Sequence, residues 1–328
     1  MTGTTLGTSG LRVSRLGVGL AAIGRPGYIT LGRARDLAGD RSPEALAARV
    51  DDVLDVARAA GIRYVDVARS YGRAEEFLAQ WLAARAVPRD ALTIGSKWGY
   101  RYTAGWRVDA PVHEEKELSL ARFEQQLGES RALLGDRLDV YAIHSATAES
   151  GVFEDERLVA ALVAARRRGD CRAIGLTLSG ATSARALERA MAARADGERV
   201  FDVVQATFNV LEPSLATRLE AAHDAGLGVI AKEVFANGRL TDANPRADDR
   251  AMLARLAAVA PGIPVDRLAL AFVLAHPFVD VALSGAATVA QLRSHSDALA
   301  VRLDPAAVAV LAETPERYWA TRASLPWT

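Results

Sequence analysis

Four side chains of different proton chemistry stand in the first half of the chain: Asp66, Tyr71, Lys97 and His144. Three of them close a short apolar run rich in β-branched residues, and Tyr71 follows Asp66 by five positions. Lysine is scarce, with Lys97, Lys116 and Lys232 the only three among 40 basic residues. A lysine at the end of an apolar strand must be paired or neutralised, because an isolated ammonium is costly away from water. Asp66, on the preceding run, is a suitable counter-ion. A cation beside the Tyr71 phenol favours phenolate and is expected to lower its pKa from about 10. A tyrosine tuned that way donates a proton to a carbonyl oxygen as hydride reaches the carbon. His144 can hydrogen-bond the same oxygen and orient the substrate. Taken singly, Asp66–Lys97 reads equally well as a structural ion pair, and His144 as a satisfied histidine. Together the four point to a catalytic mouth.

Such a mouth needs a scaffold that gathers strand ends. Short β-branched runs recur at 16–20, 64–67, 92–97, 138–144, 173–178, 203–207, 228–232 and 280–284. Amphipathic Ala/Leu/Arg-rich stretches separate them at 43–60, 74–86, 118–134, 154–168, 183–194 and 214–225, then at 250–258 with 265–275, and at 289–300. Several close at a glycine, namely Gly61, Gly135, Gly169 and Gly226, where a left-handed residue is expected. Eight strands, each followed by helical sequence, is the (β/α)8 count. The runs are nearly all apolar, as strands covered on both faces should be. A doubly wound open sheet is the competing topology, but no linker rich in Pro, Gly and Ser divides the chain. The prediction is an α/β protein, a single-domain (β/α)8 TIM barrel spanning 1–328. An N-terminal β-hairpin is expected around Gly7 and Gly10, and an irregular C-terminal tail beyond Leu311. In such a barrel the active site lies at the C-terminal ends of the strands.

Composition narrows the classes. The 328 residues carry 40 basic and 40 acidic side chains and are 50% hydrophobic, an ordinary globular balance. That excludes a disordered tail and a mainly electrostatic nucleic-acid binder. Cys171 is alone, so no intrachain disulfide can form, and it reads as packing. The opening ten residues lack a basic and an apolar region, so no signal peptide is expected. No apolar run approaches the roughly 20 residues that span a bilayer. A cytoplasmic protein without membrane or nucleic-acid partners is expected. Gly17-Val18-Gly19-Leu20-Ala21-Ala22 fits G-x-G-x-x-A but is followed by Gly24, Pro26 and Gly27 instead of a helix, so it is read as a strand entering a long loop. His113-Glu114-Glu115-Lys116-Glu117 is not H-E-x-x-H, and no metal site is expected. Arg166, Arg167 and Arg168 read as a solvated helix end.

Three stretches carry a resemblance: Asp66-Val67-Ala68-Arg69-Ser70-Tyr71-Gly72 with Glu75, Ile94-Gly95-Ser96-Lys97, and Asp139-Val140-Tyr141-Ala142-Ile143-His144. In order and spacing the chain resembles the aldo-keto reductase superfamily, bacterial members included, from Leu16 to about Leu299. The resemblance implies that Asp66, Tyr71, Lys97 and His144 form the catalytic tetrad. It also implies a nicotinamide dinucleotide laid across the barrel, NADP(H) ahead of NAD(H). Thr177 and Gln205 match the positions that hold the nicotinamide carboxamide, with Leu178 replacing the usual Asn. Lys232 stands where an aromatic ring commonly stacks on the nicotinamide, and Phe235 is the nearby substitute. The segment Ser284, Gly285, Ala286, Thr288 and Gln291 resembles the phosphate-binding stretch after the eighth strand. Thr288 and Gln291 also have capping-box spacing, and a helix N-terminus there suits phosphate. Gly285 and Gln291 stand where NADP-preferring members carry a basic residue. His295 occupies an adenine-contacting position. A monomer or weak homo-oligomer is implied.

Aromatic residues are only 6% of the chain, yet they cluster near the expected mouth. Tyr28, Trp98 and Trp106 are the expected substrate contacts, with Arg101 and Arg107 beside them. Trp319, Arg322 and Trp327 follow in the tail, where the two tryptophans read equally as anchors. Aromatic rings with arginines suit a polar ring, a sugar or an anionic ketone. Arg69 is expected to face solvent. The leading expectation is an NAD(P)(H)-dependent oxidoreductase acting on a carbonyl or sugar hemiacetal carbon. Two rivals remain. One is a cofactor-binding regulatory protein of the same fold with little turnover, which Leu178 and Lys232 allow. The other is an unrelated barrel enzyme using Lys97 as a Schiff-base nucleophile.

Overall fold

The computed structural model describes residues 3–37 and 39–328. The eight apolar runs form strands β1 (Leu16–Gly19), β2 (Tyr64–Asp66), β3 (Thr93–Trp98), β4 (Val140–Ala146), β5 (Ala173–Leu178), β6 (Val203–Thr207), β7 (Gly228–Lys232) and β8 (Val281–Ser284). They pair in chain order, all parallel, and β8 returns to β1 to close the barrel. Register sets the site. Gly19 lies beside Asp66, Asp66 beside Gly95, and Lys97 beside Ala142. Lys97 is two residues beyond Gly95 and so shares its face. That face is the interior: a Cβ on Gly95 would come within 2.2 Å of the Tyr64 hydroxyl. Only glycine leaves room there for Tyr64 beneath Asp66.

The N-terminal hairpin forms, with Gly3–Thr5 antiparallel to Arg12–Ser14. Leu6, Leu11 and Val13 join Tyr64, Val140, Val203, Ile230 and Val281 in a separate buried cluster. The hairpin therefore plugs the bottom of the barrel and leaves the top for chemistry.

The outer layer holds α1 (Pro43–Ala59), α2 (Ala74–Ala84), α3 (Leu120–Leu134), α4 (Glu156–Arg168), α5 (Ser183–Ala192), α6 (Ala216–Asp224), α7 (Arg250–Val259), α8 (Val265–Leu274) and α9 (Val289–Asp297). Caps set several starts. Ser42 accepts from the Ala45 N–H at 3.2 Å, Ser119 from Arg122 at 3.1 Å and Asp155 from Leu158 at 3.0 Å. Gly61, Gly135, Gly169 and Gly226 all take positive φ after a helix. No helix follows the G-x-G segment directly; the chain turns, then forms four helical residues at Arg33–Asp36.

Two features depart from the expectation. The loop after β3 is an antiparallel ribbon, Tyr100–Tyr102 against Glu114–Lys116, with Tyr100 opposite Lys116. The tail is irregular only in part. Thr314 caps α10 (Pro315–Ala323), Pro315 occupies its first turn and Tyr318 is buried beneath it. The last residues then cross the top of the barrel, where Thr328 and Tyr28 exchange backbone hydrogen bonds of 3.0 and 3.1 Å. Arg33 clamps this crossing by donating to the carbonyls of Ala22, Arg25, Pro26 and Thr328.

Candidate active site

The strand ends bring Asp66, Tyr71, Lys97 and His144 together. Lys97 is 1% exposed, and its Nζ donates to Asp66 and, at 2.8 Å, to the Val67 carbonyl. The other Asp66 oxygen accepts from Gln205 Nε2 at 2.8 Å. The Lys97 ammonium lies 4.7 Å from the centroid of the Tyr71 ring. His144 meets Tyr71 edge-on, centroids 5.7 Å apart, and Tyr100 at 4.9 Å. Ser70 Oγ stands 3.5 Å from His144 Nδ1. With Lys97 held by Asp66 and a carbonyl under the Tyr71 ring, its amine is not presented as a free nucleophile. Behind the site, Glu75 accepts from Ser96 Oγ at 2.6 Å and Ser130 Oγ at 2.8 Å, and pairs with Arg69. Arg69 also binds Glu129 at 2.9 Å, so it faces this buried cluster and not open solvent.

The electrostatics correct one expectation. The Tyr71 hydroxyl is held well above 10, not below it. Burial is the first cause and the charge of Asp66 the second; Arg25 pulls the other way. Asp66 cancels Lys97, so the pair presents no net cation to the phenol. Tyr71 is a phenol at neutral pH, the form that donates a proton. His144 is held well below its usual value, first by burial and then by Lys97, Lys232, Arg25 and Lys116. It is neutral and has one N–H to give.

Three adjoining cavities run from the tetrad toward α9. The mouth, about 380 Å³, is lined by Tyr28, Tyr71, His144, Lys232 and Trp319 among others. A waist of about 100 Å³ continues past Asp66, Tyr28, Ser284 and Gly285. The far end, about 320 Å³, reaches Asp36, Gln291 and His295. A larger cavity of about 580 Å³ beside Arg15 and Leu303 touches none of the tetrad.

The candidate cofactor residues divide over this groove. Lys232 is at the mouth, where Nζ donates to Thr207 Oγ1 at 2.8 Å and Ser179 Oγ at 3.2 Å. Gln205 sits on Asp66, as described. Thr177, Ser284 and Thr288 hold backbone N–H groups with their hydroxyls, that of Ala286 included. Thr177 Oγ1 accepts from the Ser145 N–H at 2.7 Å, the Ala286 N–H donates to Ser284 Oγ at 3.2 Å, and Thr288 Oγ1 accepts from the Gln291 N–H at 3.2 Å. Gln291 reaches back to the Ala287 N–H at 2.8 Å, one residue beyond the cap, and donates to Asp36 at 2.7 Å. His295 is buried, bonded to Ser284 Oγ at 2.8 Å and stacked on Phe235 at 4.2 Å. Phe235 lines the waist and far end, so it is Lys232 that borders the mouth. The groove suits an extended dinucleotide. Asn237 Oδ1, at the waist, is a buried acceptor with no partner among the described residues, as a site for a ligand hydroxyl would provide.

Of the candidate substrate contacts, Tyr28 lines both mouth and waist. Trp98 does not. It follows Lys97 on β3, points to the opposite face and is fully buried against Phe123, centroids 5.2 Å apart. Trp106 is a second correction: its Nε1 donates to the Arg41 carbonyl at 2.8 Å and its ring packs edge-on against Phe77. Arg101 and Arg107 pair with Glu115 and Asp109 in solvent. Trp319 and Trp327 both line the mouth, and Trp327 stacks on His113 at 3.8 Å. Residues missed from the sequence are Arg25, Glu114, Lys116, Ser145, Ser179 and Glu233. The rarity of lysine was a signal for Lys116; the others carried none. Cys171 is buried and its thiol pushed up to about 12, chiefly by burial, so it is no nucleophile. Among the described residues no helix is long and apolar enough to cross a membrane.

Fold and site together define a barrel oxidoreductase. Residues 16–315 match the model of the Aldo/keto reductase family, and the chain belongs to that family. It is 28% identical over 335 residues to a D-threo-aldose 1-dehydrogenase from a Pseudomonas species, covering 93% of this chain and 95% of that one. It is also 28% identical to the uncharacterized oxidoreductase YrpG of Bacillus subtilis, covering 96% and 98%. The aldo-keto reductase AKR11C1 from Bacillus halodurans, in its holo form, superposes with a TM-score of 0.73 over 96% of this chain and 97% of its own, at 21% identity.

Proposed function

We propose that residues 1–328 form one barrel unit that transfers hydride between a nicotinamide dinucleotide and a carbonyl carbon, or the anomeric carbon of a sugar hemiacetal. When bound, the nicotinamide supplies or accepts the hydride. Tyr71, kept as a phenol, gives its proton to the carbonyl oxygen as negative charge develops there. Lys97, anchored by Asp66, holds its ammonium 4.7 Å from the ring centroid and fixes the ring at the strand ends. His144, neutral, donates its N–H to the same oxygen. In the oxidative direction the Tyr71 phenolate, not the phenol, takes the substrate hydroxyl proton as hydride leaves the carbon, so that direction is favoured by higher pH. The observation that carries this reading is the convergence of Tyr71 on the buried Lys97–Asp66 pair and a neutral His144 at the open end of a closed barrel. The aldose dehydrogenase relative supports sugars as the first substrates to try, in the oxidative direction.

The resemblance puts NADP(H) ahead of NAD(H), but the charges at the far end weigh the other way. Asp36, Asp242 and Asp266 line it against Arg33 and Arg35. Arg33 is taken up by four carbonyls. Arg35 is 73% exposed and 3.9 Å from Asp36. A 2′-phosphate adds up to about two negative charges, and like charges repel it here. This supports NAD(H) as the tighter nucleotide.

The test is to titrate NADH and NADPH by nicotinamide fluorescence, then add aldehydes, ketones and aldoses, with Tyr71→Phe beside the wild type. Binding with turnover that collapses in the variant is expected. Binding of neither nucleotide would overturn the proposal.

A further inference from the structure

All three lysines of the chain stand around one histidine. Lys97, Lys116 and Lys232 each push the His144 pKa down, while the other 37 basic residues are arginines. Lys97 has Asp66 as its partner. The other two are bonded mainly to neutral groups. Lys116 Nζ donates to the Ser145 carbonyl at 2.7 Å. Lys232 Nζ donates to the hydroxyls of Thr207 and Ser179. Its nearest carboxylate, Glu233, is 3.7 Å away and already accepts two N–H bonds from Arg322. Ser145 Oγ and Ser179 Oγ are 3.4 Å apart. The result is a row of donors along the mouth: ammonium, two hydroxyls, ammonium. Its first hydroxyl belongs to Ser145, the residue after His144.

Net charge agrees with the row. Among the residues lining the mouth, Arg25, Lys116, Lys232 and Arg322 face only Glu114 and Glu233. Arg25 is paired with Glu114 at 2.7 Å, and Arg322 with Glu233. Lys116 is left without a carboxylate partner among the described residues, and Lys232 shares Glu233 with Arg322, so the mouth lining carries two positive charges in excess. In a partly buried pocket such an excess is unfavourable until an anion enters. Charge-assisted hydrogen bonds to that anion are the strong kind.

We propose that Lys116, Ser145, Ser179 and Lys232 form an anion subsite. The substrate is then a carbonyl or hemiacetal compound bearing a carboxylate or phosphate group. That group docks on the row while the reacting oxygen meets Tyr71 and His144. The inference rests on the hydride-transfer reading and adds the substrate class to it.

Matched substrate pairs test it: succinic semialdehyde with butanal, glucuronate with glucose, and glyceraldehyde 3-phosphate with glyceraldehyde. Comparing the pairs separates carboxylate from phosphate. At least one charged member should have a kcat/KM tenfold or more above its neutral partner, with the gain in KM. The ratio should fall toward one in Lys232→Met and decline in Lys116→Met, and Lys116→Arg should keep it. Acetate and inorganic phosphate give a readout without turnover. Trp319 is 6.0 Å from Lys232 Nζ, so with nucleotide present either ion should quench tryptophan fluorescence in wild type and not in Lys232→Met. If Lys232→Met fails to fold by circular dichroism, Lys116→Met on the exposed ribbon carries the test. Equal turnover of charged and neutral members overturns the subsite and leaves the oxidoreductase. A Lys232→Met that weakens nucleotide binding and leaves the ratio intact also overturns it, and assigns Lys232 to the nucleotide. Quenching without turnover of any pair would keep the subsite and remove the hydride-transfer reading.

Discussion

Arg322, in the C-terminal helix, donates from Nε at 3.0 Å and Nη2 at 2.8 Å to one oxygen of Glu233, the residue that follows β7. This pair ties the tail to the barrel across 89 positions. Glu233 itself sits at a φ of +53°, a conformation that costs a non-glycine residue energy. Burial pushes its carboxyl up, but Lys232 and Arg322 outweigh burial and hold it at about 2.

A depressed carboxyl pKa contributes stability above the unfolded value of about 4.5 and loses it as pH falls toward the folded one. Between those values the shift is worth on the order of 3 kcal/mol. The wild-type melting temperature should therefore drop between about pH 4.5 and 2, and Glu233→Gln should drop less. Arg322→Ala should expose the tail to limited proteolysis at neutral pH. A tail as resistant as the wild type's would show that Arg322 does not hold it.

His144 and His295 give a second pH dependence of the same sign. Burial lowers both, His295 to about 4. Their unfolded value is about 6.5, so the unfolded chain binds more protons below it and stability declines as pH falls from there. Denaturant midpoints at pH 7.5 and 5 should differ in the wild type, and the gap should narrow in His144→Gln.

Tyr71→Phe should lower kcat by about 100-fold to 10,000-fold, the range of a lost general acid. Nucleotide affinity should change little. Because the phenol titrates above 10, carbonyl reduction should be nearly flat across neutral pH. An inflection near pH 7 that disappears in Tyr71→Phe would contradict the raised pKa.

Lys97→Met leaves Asp66 buried without its cation, with neutral donors such as Gln205 still bonded to it. Removing one partner of a buried pair costs about 3–5 kcal/mol. Urea unfolding should show that loss, and Lys97→Met with Asp66→Asn should recover part of it. Non-recovery would mean that Lys97 contributes through packing instead of charge.

At the far end, NADH should bind several-fold more tightly than NADPH in a fluorescence titration. Asp36→Asn with Asp266→Asn should narrow the difference by removing two like charges. A tighter NADPH in the wild type would show that Arg35 turns inward and outweighs the carboxylates.

The eight apolar runs, and the placing of Asp66, Lys97 and His144 on strands that bring them near Tyr71, were legible because both depend on local pattern. Strand hydrophobicity reports burial, and a polar residue at the end of an apolar strand stands out against it. Alternation along β3 even contained the answer for Trp98: if Lys97 points in, its neighbour points out. What the tertiary structure alone decided were interactions between distant residues. Glu233 and Arg322 meet only because the tail crosses the mouth. Lys116 reaches Ser145 only because the loop after β3 folds into a ribbon. The sign of the Tyr71 shift required knowing that Asp66 cancels Lys97 and that burial then dominates. Composition and spacing name the charges near a site; their balance depends on distance and on access to water, which the folded chain sets.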